Sequence, residues 1–213
     1  MIPTREEAEE LLRDGEACNP GAWADHSRAV AMCAERIATA CGDMDPEKAY
    51  VLGLLHDIGR KFGVKHMGHI YDGYHYMMKL GYDEAARICL SHSFSIQKLE
   101  DYIGKWDITE EQQEELRTLL KKMEYDAYDL LIQVCDSLAG TQVVDMEERM
   151  EDVKQRYGGY PQDKWDRNLE LKSCFEQKMR RDIYEVVGKG GAIPDGDAIG
   201  KAEAWLMDEN TVR

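Results

Sequence analysis

The chain has 213 residues, with 27 lysines and arginines against 42 acidic residues and a formal net charge of −15. That length suits one domain with a core that stands without staples. The charge excludes a long nucleic-acid groove, which needs a basic face, and no apolar run is long enough to cross a bilayer.

The N-terminal stretch MIPTREEAEELL lacks the basic-then-apolar order of an export signal. Its Thr4 and Glu7 instead have the spacing of a capping box that opens a helix. Asn19-Pro20 is read as the opening of a second helix, in which Ala29, Val30, Cys33 and Ile37 recur at helical spacing and Gly42 is the stop. Asp45-Pro46-Glu47 combines an N-cap, a first-turn proline and an early acid. The helix it opens carries Leu52 and Leu55 and is expected to end near Gly59. A loop follows, then a helix from about His69 to Leu80, a break at Gly81 and a helix from Asp83 to about His92. Thr109 with Gln112 forms another capping box, and Asp126 caps the apolar helix AYDLLIQVCDSLAG, with Gly140 as its stop.

Further helices are predicted over about 145–157, 162–187 and 197–208. The amphipathic region 145–176 reads as the outer layer of the domain in preference to a homodimer face. Strand alternation is absent. The six cysteines form no C-x-x-C pair, and several sit among apolar helical neighbours. Free thiols in a reducing cytoplasm are therefore expected, without a zinc knuckle or disulfide framework.

Four polar groups do not suit the apolar helices that carry them: His26, His56 with its neighbour Asp57, and Asp136 in LIQVCDSLAG. Singly, each is best read as a hydrogen-bonded core residue or a helix-end acid. Together, on consecutive apolar helices, they point to a metal, because a buried carboxylate is costly unless it is paired or coordinated. Imidazole and carboxylate together suit Zn, Mn, Fe, Ni or Co.

The order His26, His56-Asp57, Asp136 resembles the HD superfamily of metal-dependent phosphohydrolases. LLHDIGR is similar to its central motif and LIQVCDSLAG to its closing helix, and the resemblance covers about residues 20–140. It implies an all-α fold, a helical bundle in which these four side chains bind one metal. Residues 1–19 would be an N-terminal helix, 20–140 the metal-binding core and 141–213 a C-terminal helical extension packed on it. Some HD enzymes add two histidines and a second ion. His92, in ICLSHSF, resembles one of those positions. His69 is chosen for the other from its place in GHIYDGYHYMMKLG, with His66 and His75 as alternatives. Asp57 would then bridge the two ions.

The implied chemistry is hydrolysis of a phosphoester or phosphoanhydride of a small nucleotide by metal-bound hydroxide, with one or two divalent ions. His56, Asp57 and Arg60 are the catalytic candidates, Arg60 either meeting a phosphate or holding a ligating carboxylate. A di-iron HD oxygenase and a non-catalytic nucleotide-binding signalling module are the rival readings. GGYP at 158–161 is similar to a motif of cyclic-dinucleotide HD enzymes, but it follows Asp136 and no paired-histidine motif accompanies it. It is read as a turn, with Pro161 starting a helix. Trp106 and Trp165 are candidates for base stacking or for core.

Overall fold

Caps and stops divide the chain as its local chemistry requires. In the computed structural model, which describes residues 1–189, ten α-helices and two short 3-10 turns make up the regular structure. Thr4 and Glu7 close a reciprocal capping box at the start of α1 (Arg5–Cys18). α2 (Trp23–Cys41) ends at Gly42, whose φ of 77° is left-handed. Asp45 caps α3 (Pro46–Leu55) by accepting from the Glu47 and Lys48 amides. α4 (Met67–Leu80) stops at Gly81, again with positive φ, and α5 (Asp83–Ser91) follows. Thr109 and Gln112 box the start of α6 (Glu110–Lys122), as Asp126 and Asp129 do for α7 (Ala127–Ser137). The C-terminal part comprises α8 (Met146–Tyr157), α9 (Gln162–Met179) and α10 (Ile183–Val187).

Four boundaries differ from the sequence reading. Asn19 does not open α2; it ends α1, its amide donating to the Gly15 carbonyl at 3.0 Å. α3 does not run to Gly59. It ends at Leu55, and the chain tightens into a 3-10 turn over Ile58–Phe62. α7 ends at Ser137, ahead of Gly140. The helix expected over 162–187 is two helices. Arg180 takes a left-handed φ of 55°, and Asp182 then caps α10 through the Tyr184 amide. The helix expected over 197–208 lies outside the described residues.

α2 and α3 pack against each other most extensively, and Gly53 makes this close. A Cβ there would meet the Ala31 Cα at 2.8 Å. The main core joins α2, α3, α5 and α7 to Met146 and Met150 of α8, Leu171 and Phe175 of α9, and Ile183 and Val187 of α10. A smaller core of Met67, Ile70, Leu90, Phe94, Leu116 and Leu120 lies under α6. Among the described residues no helix is long and apolar enough to cross a membrane.

Candidate metal centre

His56 and Asp57 are neighbours in a chain that changes helix type beneath them. His56 still has α-helical angles, φ −56° and ψ −35°. Asp57 turns to φ −105° and ψ 12°, the bridge region between helix and strand. On a continuous helix the two side chains would diverge by about 100°. With the change to a 3-10 turn, His56 Nε2 and Asp57 Oδ2 lie 3.8 Å apart.

Glycine brings α4 to the same place. Gly59 lies against the α4 backbone so closely that a Cβ would sit 1.9 Å from the His69 carbonyl oxygen and 2.6 Å from the Gly73 nitrogen. His69 thereby reaches Asp57, with Nε2 at 3.0 Å from Oδ1. His92, at the C-terminus of α5, adds its Nε2 at 3.5 Å from the same oxygen. α2 brings His26, whose Nε2 stands 3.2 Å from His56 Nε2 and 3.1 Å from Asp136 Oδ1.

Each imidazole is oriented by a backbone carbonyl. His26 Nδ1 donates to Gly140 at 3.1 Å, His56 Nδ1 to Gly53 at 2.8 Å and His92 Nδ1 to Cys89 at 2.9 Å; His69 Nδ1 donates to His66. A carbonyl only accepts, so these nitrogens carry the protons. In the neutral rings every Nε2 is then a bare lone pair. Two such pairs face each other, His26 with His56 at 3.2 Å and His69 with His92 at 3.4 Å. Lone pairs held this close repel unless a cation lies among them. Asp57 Oδ1 is also buried without a hydrogen-bond donor. A donor set of imidazole nitrogens oriented through Nδ1, with an orphaned carboxylate oxygen, fits a divalent metal.

Two triads meet these conditions, His26–His56–Asp57 and Asp57–His69–His92, with Asp57 common to both. Asp136 belongs to neither triad and stands beside His26 with 27% of its side chain exposed, so it faces the cleft. Arg60, one 3-10 turn after Asp57, donates from Nε to Asp57 Oδ2 at 2.6 Å. Of the two roles weighed for Arg60, the carboxylate-holding one is the contact present, and the residue also lines the cleft.

Burial works against charge at His56, Asp57, His92 and Asp136. It pushes the His56 imidazole below its ordinary value and takes His92 down to about 3, with the neighbouring His56 adding to the effect on His92. Burial also raises the Asp57 carboxyl, but Arg60, His69 and His56 outweigh it and hold it well below the usual range. Asp136 is lowered in the same way, with His26 outweighing burial. Neutral imidazoles and ionised carboxylates are the forms that ligate metal.

The family model of the HD domain matches residues 23–141, more than half of the chain. The chain belongs to the HD-domain family. All six histidine and aspartate positions proposed as ligands lie inside the matched segment. The HD superfamily consists mostly of metal-dependent hydrolases, and this HD domain carries the His/Asp cluster suited to divalent metal. No curated protein and no solved structure matches it.

Of the alternative histidines, His75 points away from the cluster and pairs with Glu115 at 3.2 Å. His66 lines the cleft, but in neither triad. Trp106 and Trp165 do not line it either; Trp165 packs on Tyr160 with ring centroids 5.5 Å apart.

Two adjoining cavities, of about 120 and 110 Å³, open over Asp136 and His92. Their far wall comes from α8, α9 and the turn between them, through Arg149, Arg156, Tyr160, Lys164 and Asn168. Sequence reasoning missed this wall. Region 145–176 reads in the sequence as an outer layer; the turn at 158–161 is where the sequence puts it, but its Tyr160 lines a cavity. The available signal was the placement of Arg149 and Arg156 seven residues apart, on one face of a helix whose adjoining face carries Met146 and Met150.

Proposed function

We propose that this HD domain is a metal-dependent phosphohydrolase that cleaves an ester or anhydride bond of a small nucleotide. The observation that carries the reading is the convergence of four carbonyl-oriented imidazoles on one shared carboxylate, Asp57, whose Oδ1 is buried without a donor. His26, His56, Asp57 and Asp136 would hold one ion; Asp57, His69 and His92 would hold a second. Nitrogen and oxygen donors in this mixture suit Fe, Mn, Co, Ni or Zn. Such ions, when bound, lower the pKa of water toward neutrality and screen phosphate charge.

The chain's own residues do the rest. Arg60 fixes the Asp57 carboxylate and keeps it ionised. Arg60 and Lys65 present cations to an anion in the cleft. Burial keeps the His56 and His92 rings neutral, with their Nε2 atoms aimed inward. In the reaction a water oxygen bonds to phosphorus, the bridging P–O bond breaks, and the leaving oxygen takes up the proton. The basic lining supports an anionic substrate over the oxygenase reading.

The test is metal content by elemental mass spectrometry, on protein purified anaerobically without chelators. About two equivalents per chain are expected. The double variant His69→Ala/His92→Ala should lose about one equivalent and keep the other. Phosphate release from a nucleotide panel, with O2 uptake followed in the same samples, tests the reaction class. A chain that takes up no metal after incubation with Mn and Fe, or that consumes O2 without releasing phosphate, would end this reading.

A further inference from the structure

We propose that the cavity adjoining the histidine–aspartate cluster seats the ribose of the substrate, with Gln133 and Ser95 receiving protons from its vicinal hydroxyls; this rests on the phosphohydrolase reading above.

The two cavities share His92 and Asp136 but differ in the rest of their polar lining. The one that contains His26, Asp57 and His69 also contains Arg60, Lys65 and His66. The other, of about 110 Å³, brings in Ser95, Gln133, Ser137 and Asn168, all neutral, and one further cation, Lys164. The Lys164 ammonium donates to the Ser93 and Asp101 carbonyls at 2.8 and 3.2 Å.

Gln133 lies one turn before Asp136 on α7, on the same face. Ser95 follows His92 by three residues. Both are buried, with 2% and 8% of their surface exposed. Gln133 Nε2 donates to the Ser91 carbonyl at 3.0 Å and the Phe94 carbonyl at 3.4 Å. Two carbonyls at that end of the amide fix it as the nitrogen, so Oε1 is an acceptor. Among the described residues Oε1 meets no donor, and Ser95 Oγ meets no partner of either kind. Buried polar atoms in this condition are costly. Two of them on the wall of one cavity call for a ligand that brings donors. The cavity is several times the roughly 10–15 Å³ that one water needs, so a single water does not fill it.

With a phosphoryl group at the cluster, the next group of a nucleotide is its sugar. A seat that begins at His92 and Asp136 therefore receives the sugar before the base. Lysine and arginine only donate, whereas the Gln133 and Ser95 oxygens accept. Vicinal hydroxyls supply two protons from adjacent carbons, and the Ser95 hydroxyl can return its own to a sugar oxygen. A deoxyribose has one hydroxyl fewer and leaves a buried acceptor unpaired.

The probes are the 5′-methylenephosphonate isosteres of adenosine and 2′-deoxyadenosine monophosphate, whose P–C bond resists hydrolysis. They are titrated calorimetrically into the metal-loaded full chain, and the uridine pair is titrated in parallel. The ribo form should bind at least about tenfold more tightly than the deoxy form, with a similar ratio in both base series. Ser95→Ala should cut that ratio to about threefold or less, with metal content unchanged. A merely structural effect would weaken both probes alike and leave the ratio standing. Gln133→Met should lower the ratio too. It also strips a donor from the Ser91 and Phe94 carbonyls, so a thermal melt reports whether it folds; if it does not, Ser95→Ala decides. Equal affinity for ribo and deoxy forms in the unmodified chain overturns the proposal. So does a ratio that survives Ser95→Ala, a preference that follows the base instead of the hydroxyl, or no binding of any probe. Equal affinities with phosphate release intact end only the ribose seat, whereas a chain that holds no metal or releases no phosphate ends the phosphohydrolase reading itself.

Discussion

Asp57 concentrates the chemistry of this protein in one side chain. Its Oδ2 is held by Arg60, while its Oδ1 is left to two imidazoles with no proton to give. The buried histidines make the metal-free protein sensitive to mild acid. His92 falls from an ordinary value of 6.5 to about 3 and His56 is lowered too, both mainly by burial. A lowered pKa means that the unfolded chain binds protons more readily than the folded one. The stabilising contribution is therefore complete above the unfolded value and is lost as pH falls toward the folded one. Chelator-treated protein should lose stability from about pH 6.5 downward, ahead of carboxylate titration. Urea midpoints between about pH 7.5 and 4.5 measure this, and His92→Gln should flatten the slope. A midpoint independent of pH across that window would contradict the burial argument. Metal affinity should weaken in the same window, because protons compete for the same Nε2 atoms.

At the scale of elements, glycine sets the spacing between helices that carry the clustered histidines and aspartates. Gly53 lets α3 approach the Ala31 backbone of α2, which puts His56 beside His26. Gly59 lets the 3-10 turn touch the α4 backbone, which puts Asp57 beside His69. Gly59→Ala would drive a methyl group into the His69 carbonyl, a backbone atom that cannot swing aside. The expected cost is about 3 kcal/mol or more, read from urea unfolding, together with loss of metal at the His69–His92 side. An alanine variant of ordinary stability and full metal content would show that the contact relaxes freely. The end of α3 was misplaced in the sequence reading for a related reason. His-Asp-Ile-Gly-Arg is compatible with either helix type, and the contact of Gly59 with α4 favours the tighter turn.

The whole molecule joins the HD core to its C-terminal helices through one buried cation as well as through the apolar core. Lys164 of α9 donates from Nζ to the Ser93 carbonyl at 2.8 Å and the Asp101 carbonyl at 3.2 Å. It thereby ties the segment that follows His92 to the extension. Burial takes this lysine down to about 8, with Asp136 and Asp101 opposing the fall. Lys164→Met keeps the bulk but leaves both carbonyls without that donor. A loss of about 2 kcal/mol is expected, with faster hydrogen exchange appearing first in residues 93–101. Uniform protection and an unchanged thermal midpoint would show that the apolar contacts alone hold the two parts together.

The amino-acid sequence by itself determined what short-range chemistry controls. Thr4, Asp45, Thr109 and Asp126 opened helices where they stood, because a cap is a contact over three residues. The out-of-place polarity of His26, His56-Asp57 and Asp136 marked the cluster before any contact was known, because an apolar helix tolerates such groups only with a partner. His69 and His92 came from family resemblance, since on their own helices they look like any partly buried histidine. Tertiary structure alone decided which side of Asp57 each imidazole faces, since that depends on Gly53 and Gly59 admitting another backbone. It alone turned α8 inward, where Arg149 and Arg156 wall the cleft. A polar helix face pointing into a site and one pointing into water follow the same sequence pattern, and only long-range packing tells them apart.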